Sequence, residues 1–334
     1  MNIQENVFHA ISQHHSSQSQ MVENLKELLN LSQASIYKRL NGSISLSIAE
    51  LETLINHFEI DITSVFRAHR KWLKFDFPIF HNKQANQRTY IQGLVQELQA
   101  FSTVNKGVLK YLSTDLPVFY YFIDQKVANF KLFVYEHTIW SPADKRKKLQ
   151  KFYLNKPLAS EKQCLFNRIN NIYGSLDTEE IWAHHTFEVT VGQIKYALEA
   201  GYFAIPEESL ELIDCMMSIV DQLEEMVSVG NKNQMCTGKT GGGYLKLRYN
   251  DVSRFTSTIL TMPSENGSVY LTYDLPNYLK CSDPEFVKYT NQWMNNVKLN
   301  SYPLTGNTPR NQHLYFNDIR KSLLSQREIL ETLI

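Results

Sequence analysis

Over the first 66 residues, apolar side chains recur at spacings of three and four between polar breaks, which predicts short amphipathic helices. Ile3, Val7, Phe8 and Ile11 make one stripe; Val22, Leu25, Leu28 and Leu29 make a second. After Asn30-Leu31, Ser32 can cap a ten-residue helix, SQASIYKRLN, with Ile36 and Leu40 facing inward and Gly42 marking its end. Ser47 and Glu50 form a capping box for a fourth stripe of Ile48, Leu51, Leu54, Ile55 and Phe58. Asp61 caps a last turn in which Ile62, Val65 and Phe66 close the unit. Five helices with short breaks predict a compact all-α module over residues 1–70.

The next stretch, RAHRKWLKFDFP, carries four bases before its first acid and is expected to serve as a connector over 71–83. A larger domain, 84–334, follows. Tyr90, Ile91, Leu94, Val95, Leu98 and Phe101 share one helical face within 84–103. In the aromatic stretch after it, Phe119, Phe122, Phe130, Phe133 and Trp140 are expected in the core. From Pro206 to Gly230, Leu210, Ile213, Met217, Val220, Leu223 and Val227 make a broad stripe, a candidate dimer surface or an ordinary buried face. The period then changes to two at Leu245, Leu247 and Tyr249 and again at Val269, Leu271 and Tyr273, with TSTILTM between them and Asn266-Gly267 as a hairpin signal. Residues 284–298 and 309–330 return to helix. The expected class is α+β, mostly helical: helices over 84–230, a small antiparallel sheet over about 243–274, and C-terminal helices over 284–330.

With 43% hydrophobic and 20% charged residues the chain can build a sizeable core, which excludes a wholly disordered protein. Its 34 basic and 34 acidic residues cancel, so any nucleic-acid contact must be local. The longest apolar run, LPVFYYFI, is far short of the roughly 20 residues that span a bilayer, and the first fifteen residues carry no secretory pattern. A cytoplasmic location is expected, with no membrane contact. Cys164, Cys215, Cys236 and Cys281 lie tens of residues apart, which predicts reduced thiols and no zinc ribbon.

The first domain carries the strongest chemical signal. VENLKELL, the turn Asn30-Leu31 and SQASIYKRLN follow one another as the parts of a helix-turn-helix, whose second helix lies in the major groove. Gln33, Ala34, Tyr37 and Lys38 then point toward base edges; Gln can pair with adenine, and Lys can reach guanine or a phosphate. Ser32, Arg39, Asn41 and Ser43 are expected to meet phosphates. Between 32 and 49 the only bases are Lys38 and Arg39, and Asp and Glu are absent.

The stretch LNLSQASIYKRLNGSISLSIAELETLINHFEIDITSVF resembles the Cro/C1-type (XRE family) helix-turn-helix transcriptional regulators. In particular it is similar to a bacterial group with a Y-[KR]-R-[LI]-x-G segment, here Tyr37-Lys38-Arg39-Leu40-Asn41-Gly42, and a long companion C-terminal domain. The resemblance implies a five-helix λ-repressor-like fold, transcription regulation and a companion domain that dimerises or senses a signal. Two positions depart from the pattern: Lys26 stands where a small residue is usual, and Asn30 stands where the turn glycine is usual.

Other motifs carry less. Gly238-Lys239-Thr240 lacks the glycine of a phosphate loop five positions earlier, where Asn233 stands, so GKTGGGY is expected to be a flexible entry to the sheet. His14-His15 and His184-His185 are adjacent pairs that cannot share a helical face, and no metal site is expected. Lys145, Arg146, Lys147, Lys148, Lys151 and Lys156 form a basic run, expected to be a solvated face; docking on DNA or on the acid-rich helix of 207–225 is the alternative. The combined expectation is a sequence-specific regulator that binds double-stranded DNA as a homodimer on a pseudo-palindrome, without cofactor or catalytic residues. An effector of unknown identity is a further candidate partner. The alternatives are a protein-interaction module or adaptor without DNA binding and, third, an enzyme in the second domain.

Overall fold

Residues 3–60, 72–77, 86–103, 107–140, 151–236, 241–252, 255–262, 267–274 and 276–334 are described in the computed structural model, in which the chain divides into the units Met1–Lys74 and Phe75–Ile334. In the first unit, helices α1 (Ile3–Ser12), α2 (Gln18–Leu29), α3 (Gln33–Leu40) and α4 (Ile48–His57) bury Val7, Phe8, Ile11, Met21, Val22, Leu25, Ile36 and Leu54 in one core. Each boundary has a local cause. Ser17 and Ser32 accept hydrogen bonds from the first-turn amides of α2 and α3, and Ser47 and Glu50 complete the capping box of α4. Ile48 departs from its stripe: at the first helical position it is 86% exposed, and the inward face starts at Leu51. The fifth helix expected around Ile62, Val65 and Phe66 lies outside the described residues.

The second unit corrects the expected architecture. Its sheet has seven strands and is mixed: β1 (Val108–Ser113), β2 (Asp177–Ala183), β3 (Leu245–Asn250), β4 (Thr258–Met262), β5 (Ser268–Asp274), β6 (Asn277–Cys281) and β7 (Tyr302–Pro303), in the order β6-β5-β4-β1-β2-β3-β7. β1, β2 and β3 run parallel, while β4, β5 and β6 form the antiparallel side. The two central strands fall inside 84–230, where only helix is expected from the sequence. β2 reads DTEEIWA, and its consecutive acids conceal the strand because one of them, Glu180, is buried.

Both faces of the sheet are covered. Leu109, Tyr111, Trp182, Leu245, Leu247 and Ile259 join a core with α5 (Gln87–Thr103), a 3-10 segment (Val118–Ile123), α6 (Gln125–Tyr135), α7 (Ser160–Ser175), α8 (Glu188–Glu199), α9 (Glu208–Val229) and α11 (Pro309–Glu331). The opposite face, with Leu112, Ile181, Leu260 and Val269, lies under Val287, Met294 and Val297 of α10 (Pro284–Leu299). Phe119, Phe122, Phe130 and Phe133 are buried as expected, and Trp140 is half-buried.

α9 is internal. Ile213 is fully buried in the domain's own core, so the apolar stripe is taken up by ordinary burial, the other of the two readings expected for it. Three of the acids of α9 pair with cations: Asp214 with Arg327 at 3.0 Å, Asp221 with Arg320 at 2.7 Å, and Glu211 with Lys126. These are not the basic run, whose Lys151 and Lys156 are exposed and whose residues 145–148 lie outside the description. Nor is the glycine run simply flexible. Gly238-Lys239-Thr240 is not described, but Gly243 donates to the Gly174 carbonyl at 2.8 Å, and a Cβ there would run into the Leu176 carbonyl. All four thiols are free, and no described helix is long and apolar enough to cross a membrane.

The centre of the sheet is polar. Glu180, 1% exposed, accepts hydrogen bonds from Tyr120 (2.8 Å), Tyr173 (2.8 Å) and Thr178 (2.9 Å) on one oxygen and from the Trp182 indole (2.9 Å) on the other. Lys232, fully buried, donates to Thr178 at 3.2 Å and lies 4.2 Å from the centroid of the Tyr173 ring. Burial pushes its ammonium down to about 7, against the opposing pull of Glu180.

Two outcomes follow from this centre. Glu180→Gln turns an amide donor toward groups that were donating, and should cost about 2 kcal/mol in urea unfolding of the intact chain. Lys232 gives up its proton near pH 7 when folded but near 10.4 when unfolded, so the unfolded state binds more protons in between. Its contribution to stability therefore rises with pH from about 7 to 10, by at most about 1.4 kcal/mol per unit, and Lys232→Met should abolish that rise.

Candidate nucleic-acid interface

The turn between α2 and α3 is built without glycine. Asn30 adopts left-handed backbone angles (φ 52°, ψ 47°), and both its N–H and that of Leu31 reach the Lys26 carbonyl. Asparagine accepts this conformation more readily than most residues, so the helix stops where the usual glycine would stop it. Lys26 turns its ammonium to Glu23 at 2.8 Å. Ser32 then starts α3, its hydroxyl accepting from the Ser35 N–H at 3.3 Å. The backbone turns away after Asn41 through Gly42, at φ 76°.

On α3, Ile36 is buried and Leu40 half-buried in the helical core, which turns the opposite side outward. Gln33, Ala34, Tyr37 and Lys38 are exposed, Tyr37 at 42%. Helical geometry gives the row from Gln33 to Lys38 a length of roughly 7.5 Å. Of the expected phosphate contacts, Ser32, Asn41 and Ser43 are exposed. The Asn41 side-chain oxygen accepts from the Ser43 N–H at 3.0 Å, which holds the loop after the helix.

Arg39 stands apart from this group. Its guanidinium grips Glu50 of α4 through two nitrogens, at 3.2 and 2.7 Å, and donates to the Ser35 carbonyl at 3.2 Å. Burial raises the Glu50 carboxyl, and the hydrogen bonds from Arg39 and Ser47 more than reverse this, holding it below its usual value. Arg39 therefore braces α3 on α4 instead of reaching outward. Among the described residues of this unit, Lys26, Lys38 and Arg39 are the bases between 3 and 60, and Lys38 is the one not engaged with a carboxylate.

Gln4 carries a role that the sequence pattern does not signal. From α1 it donates to the Arg39 carbonyl (2.6 Å) and the Ile44 carbonyl (2.9 Å), and accepts from the Leu46 N–H (2.8 Å). One amide thus satisfies the open end of α3 and the loop behind it, across 35 to 42 residues of chain. A glutamine between apolar helical positions gives no sign of such reach.

The remaining candidates are structural. His185 pairs with Glu188 at 2.7 Å and His184 lies 3.5 Å from Asp251, while His15 is tied to the Ile11 carbonyl at 3.0 Å and to Asn24 at 3.1 Å. Among the described residues no group of three or more His, Cys, Asp or Glu side chains is placed to hold a metal ion. Comparison with known protein families, with curated proteins and with solved structures finds no match.

Arg39 and Lys38 should therefore differ in stability experiments. Arg39→Ala leaves the half-buried Glu50 without its cation and should lower the stability of the N-terminal unit by about 1–2 kcal/mol, read as a shifted thermal midpoint. Lys38→Ala, at an exposed position without an ion pair, should leave that midpoint within about 0.5 kcal/mol of wild type.

Proposed function

We propose that the chain is a sequence-specific DNA-binding transcriptional regulator of the Cro/C1 type, acting in the cytoplasm, with α3 entering the major groove. The exposed row of Gln33, Ala34, Tyr37 and Lys38 on a helix capped at its start and braced from behind carries this reading. Each residue has a physical task. Gln33 can pair with an adenine edge and Lys38 with a guanine or a phosphate, while Ala34 and the Tyr37 ring offer apolar contact to thymine methyl groups. The Gln33 and Ala34 amides in the first turn of α3 face a backbone phosphate with the positive end of the helix dipole.

A row of roughly 7.5 Å covers about two base-pair steps of 3.4 Å. That is too little sequence for one module to specify a site, which supports a homodimer reading two half-sites about one duplex turn apart. Electrostatic attraction is modest: Lys38 is joined only by Arg67, Arg70, Lys71 and Lys74 of the following stretch, the first three outside the described residues. Binding then depends on direct contacts more than on charge.

Selection of bound fragments from a random DNA pool by the intact protein tests the reading, with an enriched inverted repeat as the expected result. On that site Lys38→Ala should weaken binding about tenfold and lower the slope of log affinity against log salt by about one. Gln33→Ala should relax the preference at a single base pair, by about 1–3 kcal/mol. An unenriched pool, or equal retention by both variants, would leave the protein-interaction reading in its place.

A further inference from the structure

Within the second unit, a cavity of about 300 Å³ lies between α5, the 3-10 segment and strands β4, β5 and β6. Its walls are largely apolar and aromatic, including Phe101, Val118, Phe119, Ile259 and Tyr278. Three of its lining residues carry buried donors with no partner among the described residues: the Tyr90 hydroxyl, the Trp140 indole N–H and the Asn277 amide. Asn277 is 9% exposed, and the Tyr90 and Trp140 ring centroids are 5.3 Å apart. Burying one such donor unpaired is unfavourable; three around one cavity, met by none of the described residues, suit the acceptors of a bound molecule.

A second feature of the wall points the same way. Gly93 lines the cavity from the middle of α5, where glycine is the poorest helix former apart from proline. Its φ is not positive, and a Cβ built there meets no atom within 4 Å. Neither backbone conformation nor packing calls for glycine, yet its missing side chain leaves the space open.

The charge at the rim limits the ligand. Glu97 and Lys280, the charged lining residues, pair with each other at 2.9 Å, and Tyr270 donates to Glu97 at 2.7 Å. That leaves neutral donors to meet a guest. We infer that the cavity binds a small, flat, uncharged molecule bearing carbonyl or ring-nitrogen acceptors, its apolar body against the aromatic walls. Other cavities are poorer candidates. The one of about 630 Å³ presents Lys110, Lys246, Arg248 and Lys298, each already bonded to Asn291 and Asn295, to Glu179 or to the Ser301 carbonyl, and the one beneath Lys131 holds about 60 Å³.

Coumarin, flat and uncharged with a lactone carbonyl, and naphthalene, of similar size without an acceptor, test this on the intact protein by ligand-observed NMR titration. Coumarin should bind saturably at one per chain, and naphthalene at least about fivefold more weakly. Gly93→Leu should abolish coumarin binding without lowering the melting temperature. Tyr90→Phe removes a hydroxyl that bonds to none of the described residues; it should keep or raise the melting temperature while weakening coumarin about fivefold, and it carries the test alone if Gly93→Leu does not fold. The inference is overturned by equal affinity for the two probes, by undiminished coumarin binding in the variants, or by no saturable binding of either probe up to its solubility. DNA binding enters none of these readouts.

Discussion

A carboxylate buried in the middle of a sheet is costly unless donors surround it, and Glu180 meets four from three different parts of the chain. Tyr120 comes from the 3-10 segment, Tyr173 from α7, and Thr178 and Trp182 from β2 itself. Moving any of these elements would strand a charge or a hydroxyl away from water. The parallel core of the sheet, the 3-10 segment and the end of α7 are therefore held in a single arrangement. Lys232 extends the arrangement through Thr178 to the turn after α9, where Gly243 packs against the chain at Leu176. The cavity depends on it too: Phe119, next to Tyr120, stacks on Tyr173 at 4.4 Å and forms part of the cavity wall.

The helices of the N-terminal unit meet a different constraint, a shortage of free positive charge. Two of the three bases between residues 3 and 60 serve the fold, Lys26 on Glu23 and Arg39 on Glu50. What the helices of residues 3–60 leave for a polyanion is Lys38 and a set of neutral groups, so recognition by α3 would be strong in direction and weak in long-range attraction. The bracing of α3 suits that division. Gln4 at its far end and Arg39 on its flank hold the helix, so that its outward row would need no ordering to meet a partner.

Several local departures from folding rules in the second unit meet at one place. Its Glu180 centre is fully paired, whereas the cavity under α5 combines unpaired donors with a helical glycine that packing does not require. Proteins tend to concentrate such departures where they bind something, because the same groups that weaken the empty fold become useful once a partner supplies what is missing.

The N-terminal helices are legible in the sequence because their determinants are local: spacings of three and four, and serine caps within three residues of the amides they satisfy. The exposure of Gln33, Ala34, Tyr37 and Lys38 follows from the same periodicity once Ile36 turns inward. The strands at 245–250 and 268–274 also announce themselves, through period-two alternation, and TSTILTM stands between them as a candidate for 258–262. β1 and β2 do not, since both their faces are covered and their partners come from distant parts of the chain: Leu109 pairs with Thr178, and Val108 with Met262. Glu180 looks like a surface acid until Tyr120, Tyr173 and Trp182 are placed around it, and Arg39 looks like a phosphate contact until Glu50 is placed beside it. Burial, partnership and empty space are properties of elements brought together, and only the tertiary structure decides them.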